Sequence, residues 1–462
     1  MPINIREARK TLSISQSQFS EMSGIPQHKL SMFELGKDFP SEGEARMIEE
    51  TLSQIREGRL NVRRKRRISK DVFQSSIVNE RQRRGYSVTA RNGEYLDELR
   101  LLEQRFRTAP NDRLTAVSFF VGCGGLCYGL RAAGFKIVAS NELVDSYREI
   151  YKANFPDANF LSNDIRDVST EEINVIKEKY PSIDLLAGGP PCQGFSLAGK
   201  RDVNDSRNTL FQYYLRIAEQ LKPKVILMEN VKLLTSMKTP EGRLVKNEII
   251  DFFAKIGYRG QFFVVNAAEY GVPQNRFRVI FIGIRNDLNL APEIAEPTYG
   301  SESDLFGKPA FFTFGDAVSD LEYLESGECS SFDNLHKAVK HPEHVLRWLF
   351  DVPQGQSAHE NENPSLRPPS GYNTTYKRQV WTQPGCTVTT NYNMISGCNN
   401  VHPIATRALT TREALRLQSF PDSFKVMGKE ETIRTVIGNA VPPLMAYYLV
   451  RNILDRYIEN GE

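Results

Sequence analysis

Residues 184–196 constrain the fold more than any other stretch, because an apolar run breaks there into a rigid turn. Residues 183–187 predict a short buried strand, and Gly188-Gly-Pro-Pro191 follows it directly. Ligands in open α/β sheets lie just beyond the carboxyl ends of strands. Cys192 comes next, so we predict that its thiol is a nucleophile at the edge of a sheet. The alternative is a packed free cysteine, which is the usual environment of this residue.

The composition is that of an ordinary globular protein. The chain has 462 residues, of which 40% are hydrophobic and 25% charged, a size that suggests about two or three domains. No apolar run reaches the ~18 residues that a membrane helix needs, and the N-terminus lacks the apolar core of a signal peptide. The six cysteines show neither a disulfide framework nor zinc-finger spacing, which predicts a cytoplasmic protein without a structural metal.

Residues 1–58 form a predicted helical domain, in which hydrophobic residues recur at helical spacing on both sides of a Gly24-Ile25 turn. The run 14–36 resembles the helix-turn-helix of the phage-repressor and Cro class. This resemblance places four residues on the exposed face of the second helix, where base edges would be contacted: Gln27, His28, Lys29 and Ser31. The alternative is a small helical cap without DNA contact.

Residues 59–112 are predicted to link this domain to the rest of the chain. The stretch from 56 to 70 is dominated by Arg and Lys, with only Glu57 opposing them, and more arginines follow at 81–84. Such a run is a solvated linker by default, and next to DNA-binding modules it would supply phosphate contacts. Residues 91–107 predict an amphipathic connector helix.

From residue 113 the pattern changes to alternating strands and helices, which predicts a Rossmann-like α/β fold. Glu142 follows the second strand, about twenty residues after Gly122, which is the spacing at which a carboxylate meets ribose hydroxyls in nucleotide sites. Asp164 is predicted to end a further strand and to meet an adenine amino group. Either acid could instead be a helix cap. The predicted strands are 114–121, 136–140, 183–187, 225–231 and 279–284.

Three further polar features follow Cys192. The polar loop 199–207 could close over a substrate. Glu229 ends a buried strand, so we expect it to converge with Cys192 at one edge of the sheet. Arg276 and Arg278 alternate before the last strand, which predicts that both point to one face; they are anion binders or salt-bridged.

From about residue 286 to 380 the periodicity is lost, apart from predicted helical islands near residues 341–350, and helical periodicity returns at residues 411–418. His336, His341 and His344 lack companion Cys or acidic ligands, so we predict surface histidines rather than a metal site.

Together these features resemble a DNA (cytosine-5) methyltransferase, in blocks that keep the order of that family between about 114 and 455. The blocks are Phe120-Val-Gly-Cys-Gly-Gly125, Asn141-Glu142, Asp164-Ile165, Gly189-Pro-Pro-Cys-Gln-Gly-Phe-Ser196, Glu229-Asn-Val231, Gln274-Asn-Arg-Phe-Arg278, Arg407-Ala-Leu-Thr-Thr-Arg-Glu413, Arg416-Leu-Gln-Ser-Phe-Pro421 and Gly438-Asn-Ala-Val441. The sequence departs from the pattern at Ser118, where the family often has an acid, and at Cys127, which replaces the last glycine of a G-x-G-x-x-G loop.

The resemblance implies methyl transfer from S-adenosylmethionine to carbon 5 of a cytosine that is flipped out of duplex DNA. It makes Cys192 the nucleophile and Glu229 the group that holds ring nitrogen 3 protonated. Arg276 would hold the base or the adjacent phosphate, with support from Arg278, and Gln193 and Ser196 would contact DNA. The cofactor would be lined by Phe120, Gly122, Gly125, Glu142, Asp164, Ile165, Leu210, Asn439 and Val441.

The resemblance also implies a catalytic domain of residues 113–285, completed by 425–462, and a smaller target-recognition lobe of residues 286–424. The expected partners are double-stranded DNA, the protein's own promoter and a restriction endonuclease that acts on the same sequence. The added helix-turn-helix is similar to that of bacterial modification enzymes that regulate their own operon. An RNA cytosine-5 methyltransferase, an inert repressor and a small-molecule methyltransferase remain alternatives.

Overall fold

A computed structural model describes residues 5–12, 14, 16–57, 86–110, 114–191, 210–239, 242–301 and 307–458. The chain divides into two compact units, residues 1–76 and 77–462. Each unit has its own hydrophobic core among the described residues.

The described part of the first unit is helical. Its helices are α1 (Ile5–Thr11), α2 (Gln16–Ser23), α3 (Gln27–Glu34) and α4 (Glu42–Arg56). Phe19 and Leu30 are fully buried and pack with residues of α4. Ser41 and Glu44 form a capping box that fixes the start of α4, since each satisfies an amide that the helix leaves unpaired.

A six-stranded sheet organises the second unit, in the order β2-β1-β3-β4-β7-β5. Strands β1 to β4 are parallel, and β7 runs antiparallel between β4 and β5. The carboxyl ends of β1 to β4 and the beginning of β7 therefore lie at the same edge, which we call the catalytic edge. The strands are β1 (Leu114–Phe119), β2 (Phe135–Asn141), β3 (Leu185–Gly188), β4 (Val225–Val231), β5 (Tyr258–Asn266) and β7 (Phe277–Arg285).

Both faces of this sheet are covered. Leu185 and Ala187 of β3 pack into one hydrophobic cluster, while Leu186 packs into another on the opposite face. Such burial on both sides explains why the central strands are almost wholly apolar. The helices are α5 (Asn92–Thr108), α6 (Gly125–Ala132), α7 (Asp145–Asn154), α8 (Thr170–Lys179), α9 (Leu210–Leu221), α10 (Val245–Lys255), α11 (Phe314–Val318), α12 (Glu343–Leu349), α13 (Thr411–Leu417), α14 (Glu430–Asn439) and α15 (Pro443–Tyr457).

Residues 345–408 contain a smaller core of their own, in which Leu349, Ala358 and Val401 are fully buried. The buried guanidinium of Arg378 donates to the carbonyl oxygens of residues 349, 352, 402, 404 and 405. Burial lowers the pKa of Arg378 to about 10. One cation thus fixes loops that have little regular structure. A two-stranded parallel ladder of β6 (Gln274–Asn275) and β8 (Gly385–Cys386) joins this region to the catalytic half.

The predicted connector helix is confirmed as α5, and Tyr95, Leu99 and Leu102 on its apolar face are buried in the main core of the second unit. Two other expectations were wrong, and one strand was missed. Asp164 does not end a strand: it caps a short 3-10 helix, and an isolated bridge at Phe160 replaces the strand. His336 and His341 are buried instead of lying on the surface. Strand β5 was missed, because the alternation of its side chains is imperfect.

Within the described part of the chain, no helix is long and apolar enough to cross a membrane. The same residues contain no group of three or more His, Cys, Asp or Glu placed to hold a metal ion.

Close contact between α6 and α15 depends on Gly129, where an added Cβ would lie 2.5 Å from the Cβ of Ala446. We expect Gly129→Ala to lower the free energy of unfolding of the second unit by ~1–3 kcal/mol, because an overpacked core must shift. Urea unfolding followed by the fluorescence of Trp348 and Trp381 measures this. Gly93→Ala, on an exposed turn of α5 with open space around it, is the control; equal losses in both variants would contradict the packing argument.

Candidate active site

Glu142 and the loop after β1 form the first half of the catalytic edge. The Glu142 carboxylate accepts hydrogen bonds from the amides of Gly122 (2.8 Å) and Val144 (3.0 Å). Burial raises the pKa of Glu142, which these amides partly offset. An added Cβ on Gly122 would have only Val436 nearby, at 3.7 Å, so this backbone is open to a ligand.

Gly124 and Gly125 are small for a different reason. An added Cβ on Gly125 would lie 2.2 Å from the carbonyl oxygen of Val441, and one on Gly124 would lie 2.5 Å from the ring of Phe155. Gly125 was expected to bind a cofactor, whereas its missing side chain makes room for Val441.

Three of the other predicted cofactor residues pack together. Phe120, Ile165 and Leu210 belong to one hydrophobic cluster, and Phe120 holds a left-handed φ of 56°. Asp164 accepts a hydrogen bond from Nε of Arg166 at 2.9 Å, which holds the pKa of Asp164 below its usual range. Asn439 is exposed at the end of α14. An apolar wall, a buried carboxylate and open space at the Cα of Gly122 together fit a nucleoside.

The two residues that depart from the family pattern, Ser118 and Cys127, contact each other. Ser118 is fully buried, and the thiol of Cys127 donates to its hydroxyl oxygen at 3.3 Å. Burial raises the pKa of Cys127 to about 11, so this thiol stays protonated.

Glu229 lies at the other half of the catalytic edge. Its Oε1 pairs with Nε of Arg278 at 2.8 Å, and both side chains are largely buried. Its Oε2 would lie 3.1 Å from a Cβ on Gly189, so the carboxylate lies against the turn after β3. Asn230 donates to the carbonyl oxygen of Pro190 at 2.8 Å and holds the same turn.

The described residues stop at Pro191 and resume at Leu210. Outside them lie Cys192, Gln193, Ser196 and the predicted loop 199–207.

Arg276 does not share the position of Arg278. It lies at the break between β6 and β7, is fully buried, and donates to the carbonyl oxygens of Val388, Gly438 and Ala440 at 2.9–3.0 Å. Burial, together with the nearby Arg278, lowers the pKa of Arg276. Arg278 therefore contacts Glu229, and Arg276 joins three chain segments, while a contact of Arg276 with the base or phosphate stays a prediction.

Two buried amides that the sequence analysis gave no role complete this junction. Nε2 of Gln274 donates to the carbonyl oxygen of Leu417 and to Oε1 of Gln418, and its Oε1 accepts from the amide of Val388. Gln418 in turn donates to the carbonyl oxygen of Ile437 at 2.7 Å. Both lie among mixed polar and apolar neighbours in the sequence, so no local pattern identifies them.

The first unit presents the predicted second helix as α3, separated from α2 by residues 24–26. Gln27, His28 and Lys29 are exposed and Ser31 is half-buried. Lys29 pairs with Glu44 at 2.8 Å, and this hydrogen bond lowers the pKa of Glu44 to about 2.

The sequence of the chain is similar to those of known proteins. Residues 114–455 match the family model described as C-5 cytosine-specific DNA methylase. The chain is 36% identical over 347 residues to the Type II methyltransferase M1.HphI of Haemophilus parahaemolyticus, covering 74% of this chain and 87% of that protein. It is 32% identical over 387 residues to the Type II methyltransferase M.DdeI of Desulfomicrobium norvegicum, covering 75% and 90%.

Solved structures share the fold. A crystal structure titled as that of a proposed DNA modification methyltransferase from an Escherichia coli prophage superposes with a TM-score of 0.56 at 23% identity, covering 74% of this chain and all of that one. A Spodoptera frugiperda DNMT2 mutant superposes with a TM-score of 0.50 at 22% identity, with the same coverage.

The different positions of the two arginines predict different losses of stability. Arg276→Met leaves buried carbonyl oxygens without donors, at ~1–3 kcal/mol for each unsatisfied group, so we expect the melting temperature to fall by roughly 10 °C. Arg278→Met should lower it by less, by roughly 5 °C, because it removes one largely buried ion pair and not three buried backbone hydrogen bonds. Thermal unfolding of both variants decides; a larger loss for Arg278→Met would contradict the assignment.

Proposed function

This chain belongs to the C-5 cytosine-specific DNA methylase family and is a DNA (cytosine-5) methyltransferase that uses S-adenosylmethionine, and we propose that it methylates one cytosine within a short duplex sequence through a covalent Cys192 adduct. The observation that carries the proposal is the Glu229–Arg278 pair, held at 2.8 Å against the turn that leads to Cys192. A carboxylate beside the approach to a nucleophile is the pairing that this chemistry needs.

The residues divide the work as follows. The Cys192 thiolate adds to carbon 6 of the cytosine, and Glu229, oriented by Arg278, shares a proton with ring nitrogen 3 as electrons move to carbon 5. Carbon 5 then carries a nucleophilic electron pair. A base removes the proton from carbon 5 after methylation, and the thiolate leaves carbon 6. Because a stacked cytosine is inaccessible, the base must be flipped out, at a cost of a few kcal/mol.

S-adenosylmethionine supplies, when bound, an electrophilic methyl group on a sulfonium. Glu142 and the Gly122 backbone would hold its ribose and amino-acid side, and Phe120, Ile165 and Leu210 would line its base. Asp164, Asn439 and Val441 are further candidates at the rim.

We propose that residues 286–424 contain the target-recognition lobe. In support, residues 345–408 have a separate core. Two aromatic side chains within residues 286–424 are also exposed to solvent, Phe332 at 94% and Tyr372 at 80%. The Type II relatives further suggest that the modification protects DNA from an endonuclease acting on the same sequence.

Replacement of Cys192 tests the covalent mechanism. We expect Cys192→Ala to lower methyl transfer to duplex DNA by a factor on the order of 10⁴ or more, because the nucleophile is lost. Duplexes with 5-fluorocytosine should trap the wild-type enzyme as a stable adduct, because carbon 5 then carries fluorine in place of the proton that a base must remove before the thiolate leaves. Cys329→Ala, at an exposed thiol, is the control. A denaturation-resistant adduct with Cys192→Ala would contradict the proposal.

We also propose that residues 1–58 bind the protein's own promoter. The support is the α2–turn–α3 arrangement and the exposure of Gln27 and His28. Deleting residues 1–58 should leave methyl transfer largely intact, because the second unit has its own core.

In the full chain, Gln27→Ala with His28→Ala should weaken promoter binding by about tenfold or more at fixed salt, at ~1–3 kcal/mol for each base contact. Fluorescence anisotropy with the promoter fragment measures this, and Glu49→Ala on the exposed side of α4 is the control. Loss of methyl transfer on deletion would mean that the first unit is part of the active enzyme.

A further inference from the structure

Residues 86–108, which we call the N-terminal brace, precede the segment that matches the family model but are built into the second unit. Tyr95 and Leu102 are fully buried, and Leu99 is nearly so. Phe106 stacks on Tyr128 of α6, with ring centroids 4.0 Å apart. The match begins only at residue 114, so the brace is an addition of this chain to the matched core.

The beginning of the brace holds residues 310–320, which precede the separate core of residues 345–408. The hydroxyl of Tyr86 donates to the carbonyl oxygen of Val318 at 2.8 Å. Thr89 donates from its hydroxyl to Oδ1 of Asp316 at 2.6 Å and from its amide to the hydroxyl of Ser319. Arg91 donates to the carbonyl oxygens of residues 310 and 311.

The brace also contacts Trp381 and His402 within that span and Arg416 beyond it. The ring of Tyr86 packs against Trp381, with centroids 5.2 Å apart, and lies roughly parallel to His402 at 6.1 Å. The hydroxyl of Tyr95 donates to the carbonyl oxygen of Arg416 in α13.

An ion pair between Asp320 and Arg416 joins these two parts of the chain. Asp320 accepts from Nδ2 of Asn92 at 2.8 Å and from Nη1 of Arg416 at 2.6 Å. Asn92 also donates to the carbonyl oxygen of Asp316 at 3.0 Å. The brace therefore contacts the chain both before and after the separate core of residues 345–408, and the hydrogen bonds of Tyr86, Thr89 and Asn92 go to residues 316–320, not to Glu142 or Glu229.

We propose that the brace positions the recognition lobe over the DNA, so that Tyr86, Thr89 and Asn92 are positioning residues for target selection. The proposal rests on the proposed function, because it needs residues 286–424 to read the DNA sequence. Its physical basis is that a lobe with two connections is oriented by whatever fixes both of them. Loosening the connections should change DNA binding and discrimination, while the cofactor site on the sheet stays intact.

The test is a kinetic comparison of the full chain with the double variant Thr89→Val, Asn92→Ala. Methyl transfer is measured on the duplex sequence that the wild-type enzyme modifies and on a duplex with one changed base pair. We expect KM for DNA to rise and discrimination between the duplexes to fall, each by about tenfold, the ratio that corresponds to ~1.4 kcal/mol. KM for S-adenosylmethionine and kcat at saturating DNA should stay within about twofold of wild type.

Arg100→Ala is the matched control, because Arg100 lies on the exposed face of α5 and its ion pair is with the exposed Asp97. It should match wild type in every constant. If the double variant does not fold, Tyr86→Phe, which removes one hydroxyl and keeps the ring, is expected to shift KM for DNA and discrimination in the same direction.

A lower melting temperature and kcat, with KM for DNA and discrimination unchanged, would overturn the positioning role and leave a purely structural brace. A wild-type enzyme that methylates DNA but shows no preference between the duplexes would also overturn it. Failure of the wild-type enzyme to methylate DNA at all would instead refute the proposed function, and with it the premise of the brace.

Discussion

The guanidinium of Arg276 is the contact on which the rest of the catalytic half depends. It joins the beginning of β7 to Val388 and to the Gly438–Ala440 carbonyls, so one cation holds together segments more than one hundred residues apart in sequence. A buried charge is costly unless its hydrogen bonds are satisfied. Three carbonyl oxygens meet most of that requirement here, which ties the return of the chain to the sheet.

This junction leaves Arg278 to orient Glu229, the proposed catalytic carboxylate. Since β7 is antiparallel to β4, its first residues lie beside the last residues of β4, and Arg278 is opposite Val231 in the ladder. The pairing places the Arg278 guanidinium on Glu229, while Asn230 holds the turn at Pro190. Strand direction therefore assembles the site, and a parallel β7 would leave Glu229 without this partner.

The sequence predicts local features well and distant contacts poorly. Strand 225–231 was placed at its observed bounds, because an apolar run between polar ends has few alternative structures. The positions of Glu142 and Glu229 followed from strand ends. The backbone partners of Arg276 could not be foreseen, because they lie more than one hundred residues away in the sequence. The burial of His336 likewise involves Thr410, far along the chain, and no local pattern reports it.

The central claim is that this chain methylates carbon 5 of one cytosine in one short DNA sequence. The most direct measurement is to incubate the protein with S-adenosylmethionine and duplex DNA of diverse sequence and to map 5-methylcytosine by sequencing. The account predicts modification at a single cytosine within one recurrent short sequence. Methylation of tRNA with none on DNA, or 5-methylcytosine scattered without a common sequence, would contradict it.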